Sequence, residues 1–191
     1  NADGDFVITW ESESQDKGLT YGVYAQRYTA DGFKAGSEFL VNTVTTNDQR
    51  FPRIAMNADG DFVIVWESNL QDGSGRGIYA QRYTADGNTT GIEFPVNSYT
   101  TGEQRNPSIA MDADGDFVIA WESKGQDDIS DSNGYGIFAQ LYTADGSSVG
   151  SEFQVNTHTD SDQHYPSVAM DADGDFVIAW YSRGQDNSPV L

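Results

Sequence analysis

The chain has 191 residues, with 30 Asp and Glu against 10 Lys and Arg and a formal net charge of -20. Such an excess of acid excludes nucleic acid as a partner, because a phosphate backbone needs clustered Lys and Arg, and it disfavours anionic membrane surfaces. Cysteine is absent, which removes disulfide frameworks, thiolate zinc sites and Cys nucleophiles, while 37% hydrophobic residues suffice for a packed core.

The chain opens on Asn1-Ala2-Asp3-Gly4-Asp5 with no signal peptide ahead of its first strand. The string Asp-Gly-Asp-Phe-Val-Ile-x-Trp then recurs, placing Trp10, Trp66, Trp121 and Trp180 at spacings of 56, 55 and 59 residues. The units run over 1–50 (partial), 51–105, 106–164 and 165–191 (partial), in a single array over 1–191. The long third spacing comes from a polar insertion that includes Asp127, Asp128, Ser130, Asp131 and Ser132, a composition suited to a surface loop.

Each unit reads as four short strands. In chain order the clearest are Ile78–Tyr83, Glu93–Asn97, Pro107–Met111 and Phe117–Ser123, which are strands three and four of one unit and one and two of the next. Alternation in Ile78–Tyr83 sends Ile78, Ala80 and Arg82 to one face and Tyr79, Gln81 and Tyr83 to the other. Asp-Gly turns join strands one and two, and three and four. No window carries helical apolar spacing, and no run of about 18 apolar residues could span a bilayer as a helix.

The expected fold is all-β: a β-propeller-like array of four-stranded antiparallel blades, with each Trp packed between neighbours and a β-sandwich as the competitor. The chain starts at strand two of one unit and stops after strand two of another, so it holds thirteen strands, three blades plus one strand. Three blades do not close a ring of the usual four to eight. Self-association, or further repeats of a longer chain, is therefore expected.

The acidic turn carries the most chemistry. Asp3 and Asp5, Asp59 and Asp61, Asp112, Asp114 and Asp116, and Asp171, Asp173 and Asp175 alternate around a glycine, a pattern that can converge on Ca²⁺. The competing reading is a hairpin turn with solubilising acids. The other hairpin, Ala-Asp-Gly at Asp31, Asp86 and Asp145, turns without the additional oxygens, so those oxygens need a further reason. A second recurring pair follows strand two: Gln15-Asp16, Gln71-Asp72, Gln126-Asp127 and Gln185-Asp186. Amide and carboxylate side chains there suit loop closure or recognition of sugar hydroxyls, with Tyr21, Tyr135 and Tyr181 beside them as stacking surfaces. A third pair, Asp48-Gln49, Glu103-Gln104 and Asp162-Gln163, precedes strand one. The histidines, His158 and His164, read as ordinary polar loop residues of one unit, and no catalytic motif is present.

The unit Pro-Ser-Ile-Ala-Met-Asp-Ala-Asp-Gly-Asp-Phe-Val-Ile-Ala-Trp-Glu-Ser, with Gly-Ile-Tyr-Ala-Gln-Arg-Tyr-Thr-Ala-Asp-Gly and Glu-Phe-x-Val-Asn-Thr, resembles tandem repeats of very large secreted or surface proteins of marine and cyanobacterial bacteria. The resemblance covers nearly the whole chain. It implies an extracellular or cell-surface location alongside repeats-in-toxin calcium segments. The acidic turn also resembles the calcium loops of integrin-type propellers, but Phe6, Phe62, Phe117 and Phe176 stand where further ligands would follow. The function expected is a non-enzymatic structural or adhesive module stabilised by Ca²⁺. The alternative is a lectin binding cell-surface glycans through the Gln-Asp loops. A propeller hydrolase is disfavoured, because such a site needs polar residues that are not repeated.

Overall fold

A computed structural model describes residues 1–15, 20–127 and 134–185. Among these there is no helix, and thirteen strands form four antiparallel sheets. The first sheet contains β1 (Phe6–Glu13), β2 (Tyr21–Tyr28) and the short β3 (Phe39–Leu40). The second is β4 (Gln49–Met56), β5 (Phe62–Asn69), β6 (Arg76–Tyr83) and β7 (Thr89–Pro95), in that spatial order. The third repeats it as β8 (Gln104–Met111), β9 (Phe117–Lys124), β10 (Tyr135–Tyr142) and β11 (Ser148–Gln154), and the fourth is β12 (Gln163–Met170) with β13 (Phe176–Ser182).

The sheets stack face to face, with β4 against β8 and β8 against β12, so the first strands form one continuous row. The alternation read from the sequence decides which residues meet. Tyr79 and Tyr83 pack with Val23, Val41 and Trp66 between the first and second sheets, whereas Ile78 and Ala80 pack with Ile109, Ile119 and Trp121 between the second and third. Trp66 and Trp121 are wholly buried, as a structural role demands. Phe62 stacks on Tyr83 at 4.9 Å and Phe117 on Tyr142 at 4.9 Å, each pair clamping the start of strand two to the end of strand three.

Strands one and four differ from the expected bounds. Strand one begins earlier, at Gln104 rather than Pro107, and passes through a bulge between Arg105 and Ser108; the same irregularity separates Arg50 from Arg53 and His164 from Ser167. In each bulge a non-glycine residue is left-handed: Phe51 at φ 54°, Asn106 at 53° and Tyr165 at 54°. Pro52, Pro107 or Pro166 follows, and because proline has no N–H the widened ladder forfeits no donor there. Strand four runs over Thr89–Pro95 and stops before the expected Asn97. That asparagine is buried. Its Oδ1 accepts Ile78 N–H at 2.7 Å and its Nδ2 donates to the Tyr99 carbonyl, arrangements that Asn42 and Asn156 copy.

Candidate functional site

The acidic turns are hairpin caps. Asn57 Oδ1 accepts Asp61 N–H at 2.9 Å, and Asp112 Oδ1 accepts Gly115 and Asp116 N–H at 2.8 and 2.9 Å. The last aspartate of each turn reaches across the sheet: Asp5, Asp61 and Asp116 accept the N–H of Ala30, Ala85 and Ala144 in the other hairpin, at 2.8–2.9 Å. Asp171 accepts Asp173 and Asp175 N–H at 3.0 Å. Asp3, Asp59, Asp114, Asp173 and Asp175 are exposed. Gly115, at φ 94°, leaves little room for a side chain, since a Cβ there would lie 3.2 Å from Ala144 Cβ and from Asn57 Nδ2 of the preceding turn. Among the described residues no group of three or more Asp, Glu or His is placed to hold a metal ion.

The Gln-Asp loops are closed from within. Gln15, Gln71 and Gln126 each donate Nε2 to a strand-four glutamate, Glu38, Glu93 or Glu152, at 2.6 Å. The other oxygen of Glu93 accepts Thr43 N–H, and that of Glu152 accepts Ser98 N–H, so each glutamate also ties its sheet to the preceding one. Asp72 and Asp127 lie over Gly77 and Gly136, where a Cβ would stand 2.7 and 2.5 Å from their carboxylates. Gln185 is exposed; Asp16 and Asp186 fall outside the described residues. The third pair closes turns as well: Gln49, Gln104 and Gln163 are fully buried, and Gln49 accepts the Trp66 indole N–H at 3.0 Å. Tyr135 is buried, with Arg105 at 4.0 Å over its ring, and does not offer the free stacking face expected of it.

A polar cluster that sequence reasoning missed lies at the beginning of the first-strand row. The glutamate after Trp10, Trp66 and Trp121 extends from strand two and accepts the N–H of the left-handed bulge residue on the following sheet: Glu11 from Phe51 at 2.9 Å, Glu67 from Asn106 at 2.7 Å and Glu122 from Tyr165 at 2.7 Å. Cations balance the buried charges. Arg50 binds Glu11 at 2.6 Å, Arg76 binds Glu67 at 3.1 Å, and Arg105 binds Glu122 at 3.1 Å.

The cations are not placed periodically: Arg50 reaches back to Glu11 of the preceding sheet, whereas Arg76 and Arg105 bind the glutamates of their own sheets. Where β4 and β8 carry arginine, β12 carries His164, whose Nδ1 lies 3.1 Å from Glu122 Oε2. His164 therefore sits in a strand and not in a loop, contrary to the sequence reading. Asn106 Nδ2 adds a bond to Glu122 Oε1 at 2.8 Å. Two partly exposed carboxylates flank this set: Glu103, 3.5 Å from Arg105 and 3.1 Å from the Tyr135 hydroxyl, and Asp162, 3.8 Å from His164 Nε2. Burial raises the Glu67 carboxyl above its ordinary value despite the Asn106 N–H and the nearby arginines. Burial also acts to raise Glu11, but the Arg50 and Phe51 hydrogen bonds prevail and hold it low. The Tyr135 hydroxyl is pushed up to about 12, first by burial.

No family model matches the sequence, and no curated protein does. Two solved structures share the fold. An endo-arabinase from Bacteroides thetaiotaomicron superposes with a TM-score of 0.54 at 16% identity, over 95% of this chain and 68% of its own. An α-L-arabinofuranosidase from Lactobacillus brevis gives 0.53 at 10% identity, over 93% of this chain and 62% of its own.

This likeness overturns the expectation of a non-enzymatic structural or adhesive module, because the sheet array is one on which two named enzymes are built. The premise beneath that expectation was that a repeated chain lacks singular polar residues. The Glu122 cluster, with His164 replacing arginine, removes that premise. The Gln-Asp loops of the lectin alternative are less open than expected: among the described residues Gln15, Gln71 and Gln126 are engaged with Glu38, Glu93 and Glu152.

Proposed function

We propose that the chain is part of a glycan-cleaving enzyme of β-propeller type, its sheets forming consecutive blades and the Glu122 end of the first-strand row facing the substrate. The observation that carries the reading is the singular assembly at the boundary of the third and fourth sheets. Glycoside hydrolysis needs two carboxyl groups, one to protonate the leaving oxygen and one to act as base or nucleophile. Glu103 and Asp162 are the carboxylates there with solvent access. Glu122, wholly buried, positions Arg105 and His164 beside them. The negative balance of the cluster favours a neutral glycan over an acidic one.

The decisive experiment follows reducing-end release from arabinan and a set of other neutral polysaccharides by the whole chain, with Asp162→Asn and Glu103→Gln alongside. A loss of about a hundredfold or more in kcat for either variant supports the assignment. Undetectable turnover on every substrate, or full activity in both variants, overturns it.

Two parts of the reading rest on sequence alone. The repeat resemblance supports an extracellular setting in which further repeats, or second copies, continue the stack. The acidic turns supply exposed oxygens for Ca²⁺ as a stabilising ion, with Asp112 and Asp171 adding a carboxylate in place of Asn57.

A further inference from the structure

At the opposite edge of the sheets from the first-strand row, two grooves of about 430 and 440 Å³ open at successive sheet boundaries, and they are copies of one another. The first lies between Thr43 of the first sheet's end and β6–β7 of the second; the second lies between Ser98 and β10–β11 of the third. Gln81 corresponds to Gln140, Thr89 to Ser148 and Glu93 to Glu152.

Each groove holds a buried amide whose oxygen is unused. Gln81 is 2% exposed and Gln140 5%. Gln81 Nε2 donates to the carbonyls of Arg82 and Thr90, and Gln140 Nε2 to those of Leu141 and Val149. Two carbonyl acceptors fix that end of the amide as nitrogen, so the oxygen is the end left over. Among the described residues nothing donates to Oε1 of either glutamine. In the first sheet Gln26 makes the equivalent donations, to Arg27 and Gly36, and there the oxygen is buried without a partner. The oxygens of Gln81 and Gln140 are thus acceptors to which the protein itself, among the described residues, donates nothing, one in each groove.

We propose that these two grooves each bind a sugar residue of a neutral glycan. The free amide oxygen accepts a sugar hydroxyl, the rim hydroxyls of Thr89 or Ser148 add donors and acceptors, and Glu93 or Glu152 supplies remaining lone pairs. The volume lies within the range of small-ligand sites. Among the described residues the only charged side chain lining each groove is its glutamate, with Arg82 beside Gly91 and Gly146 at the margins, so a neutral sugar is favoured over a uronic or sulfated one. Two equivalent sites along one edge hold a polysaccharide by avidity while another stretch of it meets the reactive end. Only the choice of a glycan as ligand rests on the proposed function; the sites are separate from the Glu122 cluster.

Calorimetric titration of the whole chain with arabinotriose and xylotriose, and with trigalacturonate as the acidic control, tests this. Two equivalent sites for a neutral trisaccharide are expected, with at least tenfold weaker trigalacturonate binding. Thr89→Trp, on the exposed rim, removes one site and Ser148→Trp the other; Gln81→Leu and Gln140→Leu, checked for a native circular dichroism spectrum, do the same. Asp162→Asn leaves both sites intact even if it abolishes hydrolysis, so failure of the catalytic reading and failure of the grooves are told apart. Absence of saturable binding, a stoichiometry unmoved by both tryptophan variants, or binding lost only in Asp162→Asn overturns the proposal.

Discussion

Glu122 accepts the backbone N–H of Tyr165 at 2.7 Å across the boundary between the third and fourth sheets. The bond holds Tyr165 at φ 54°, a conformation that a non-glycine residue adopts only against a cost of about 1–2 kcal/mol. The same oxygen receives Asn106 Nδ2, and the other receives Arg105. Glu122→Ala therefore strands several buried donors at once and is expected to destabilise the chain by about 3–5 kcal/mol in urea unfolding. Glu122→Gln keeps an acceptor for the Tyr165 N–H and should lose clearly less. Equal losses for Ala and Gln would show that charge, not this bond, is what matters.

Glu67 and Glu11 should give opposite pH responses. The Glu67 carboxyl is raised, so the folded state binds its proton more tightly than the unfolded chain does. Its contribution to stability is complete below the ordinary carboxyl value of 4.5 and is lost as pH rises through the raised folded value. Glu11 is lowered, and its contribution is present above 4.5 and lost as pH falls through the depressed value. Melting scans across pH should thus show Glu67→Gln gaining on the parent as pH rises above 4.5, and Glu11→Gln losing ground to the parent below that, as pH rises from the depressed value to 4.5.

Gly77 is a packing requirement of the Gln-Asp loop. A Cβ at this position would lie 2.7 Å from Asp72 Oδ2. Gly77→Ala is expected to cost about 1–3 kcal/mol by overpacking. In the Asp72→Ala background the penalty should shrink, and a double-mutant cycle by chemical denaturation reads that coupling directly. A penalty that is the same in both backgrounds would separate the glycine from the aspartate.

Asp116 distinguishes a cap from a metal ligand. Its carboxylate accepts Ala144 N–H at 2.8 Å, joining the two hairpins at one end of the third sheet. Asp116→Ala should lower stability by about 1 kcal/mol in chelator as well as in millimolar Ca²⁺, because the cap needs no ion. A loss seen only with Ca²⁺ would assign the residue to the ion instead.

Much of the fold was legible because its signals are local. Alternation in Ile78–Tyr83 sorted Tyr79 and Tyr83 from Ile78 and Ala80 onto the correct sheet faces, and Asp-Gly marked the turns between strands one and two and between three and four. The bulge in strand one was not legible. Its left-handed residue is Phe51, Asn106 or Tyr165 in successive units, with no shared side chain that favours positive φ; what enforces it is a glutamate about forty residues earlier. For the same reason the sequence gives no sign that Glu67 and Glu122 are buried. The signal that could have exposed the site was a substitution within the repeat, His164 where Arg50 and Arg105 stand.

In every pair of neighbouring sheets the glutamate that meets the bulge belongs to the earlier sheet and the N–H to the later one. Along the first-strand row the linkage is therefore directional, with a newly synthesised sheet meeting an acceptor already in place on its predecessor, while at the other edge Glu93 and Glu152 reach back to Thr43 and Ser98. Folding can keep pace with elongation from the N-terminal side, with each finished sheet serving as a template for the next. Tyr181 takes the position that Glu11, Glu67 and Glu122 occupy in the earlier units. A sheet laid on the far face of the fourth would meet a tyrosine there in place of the carboxylate.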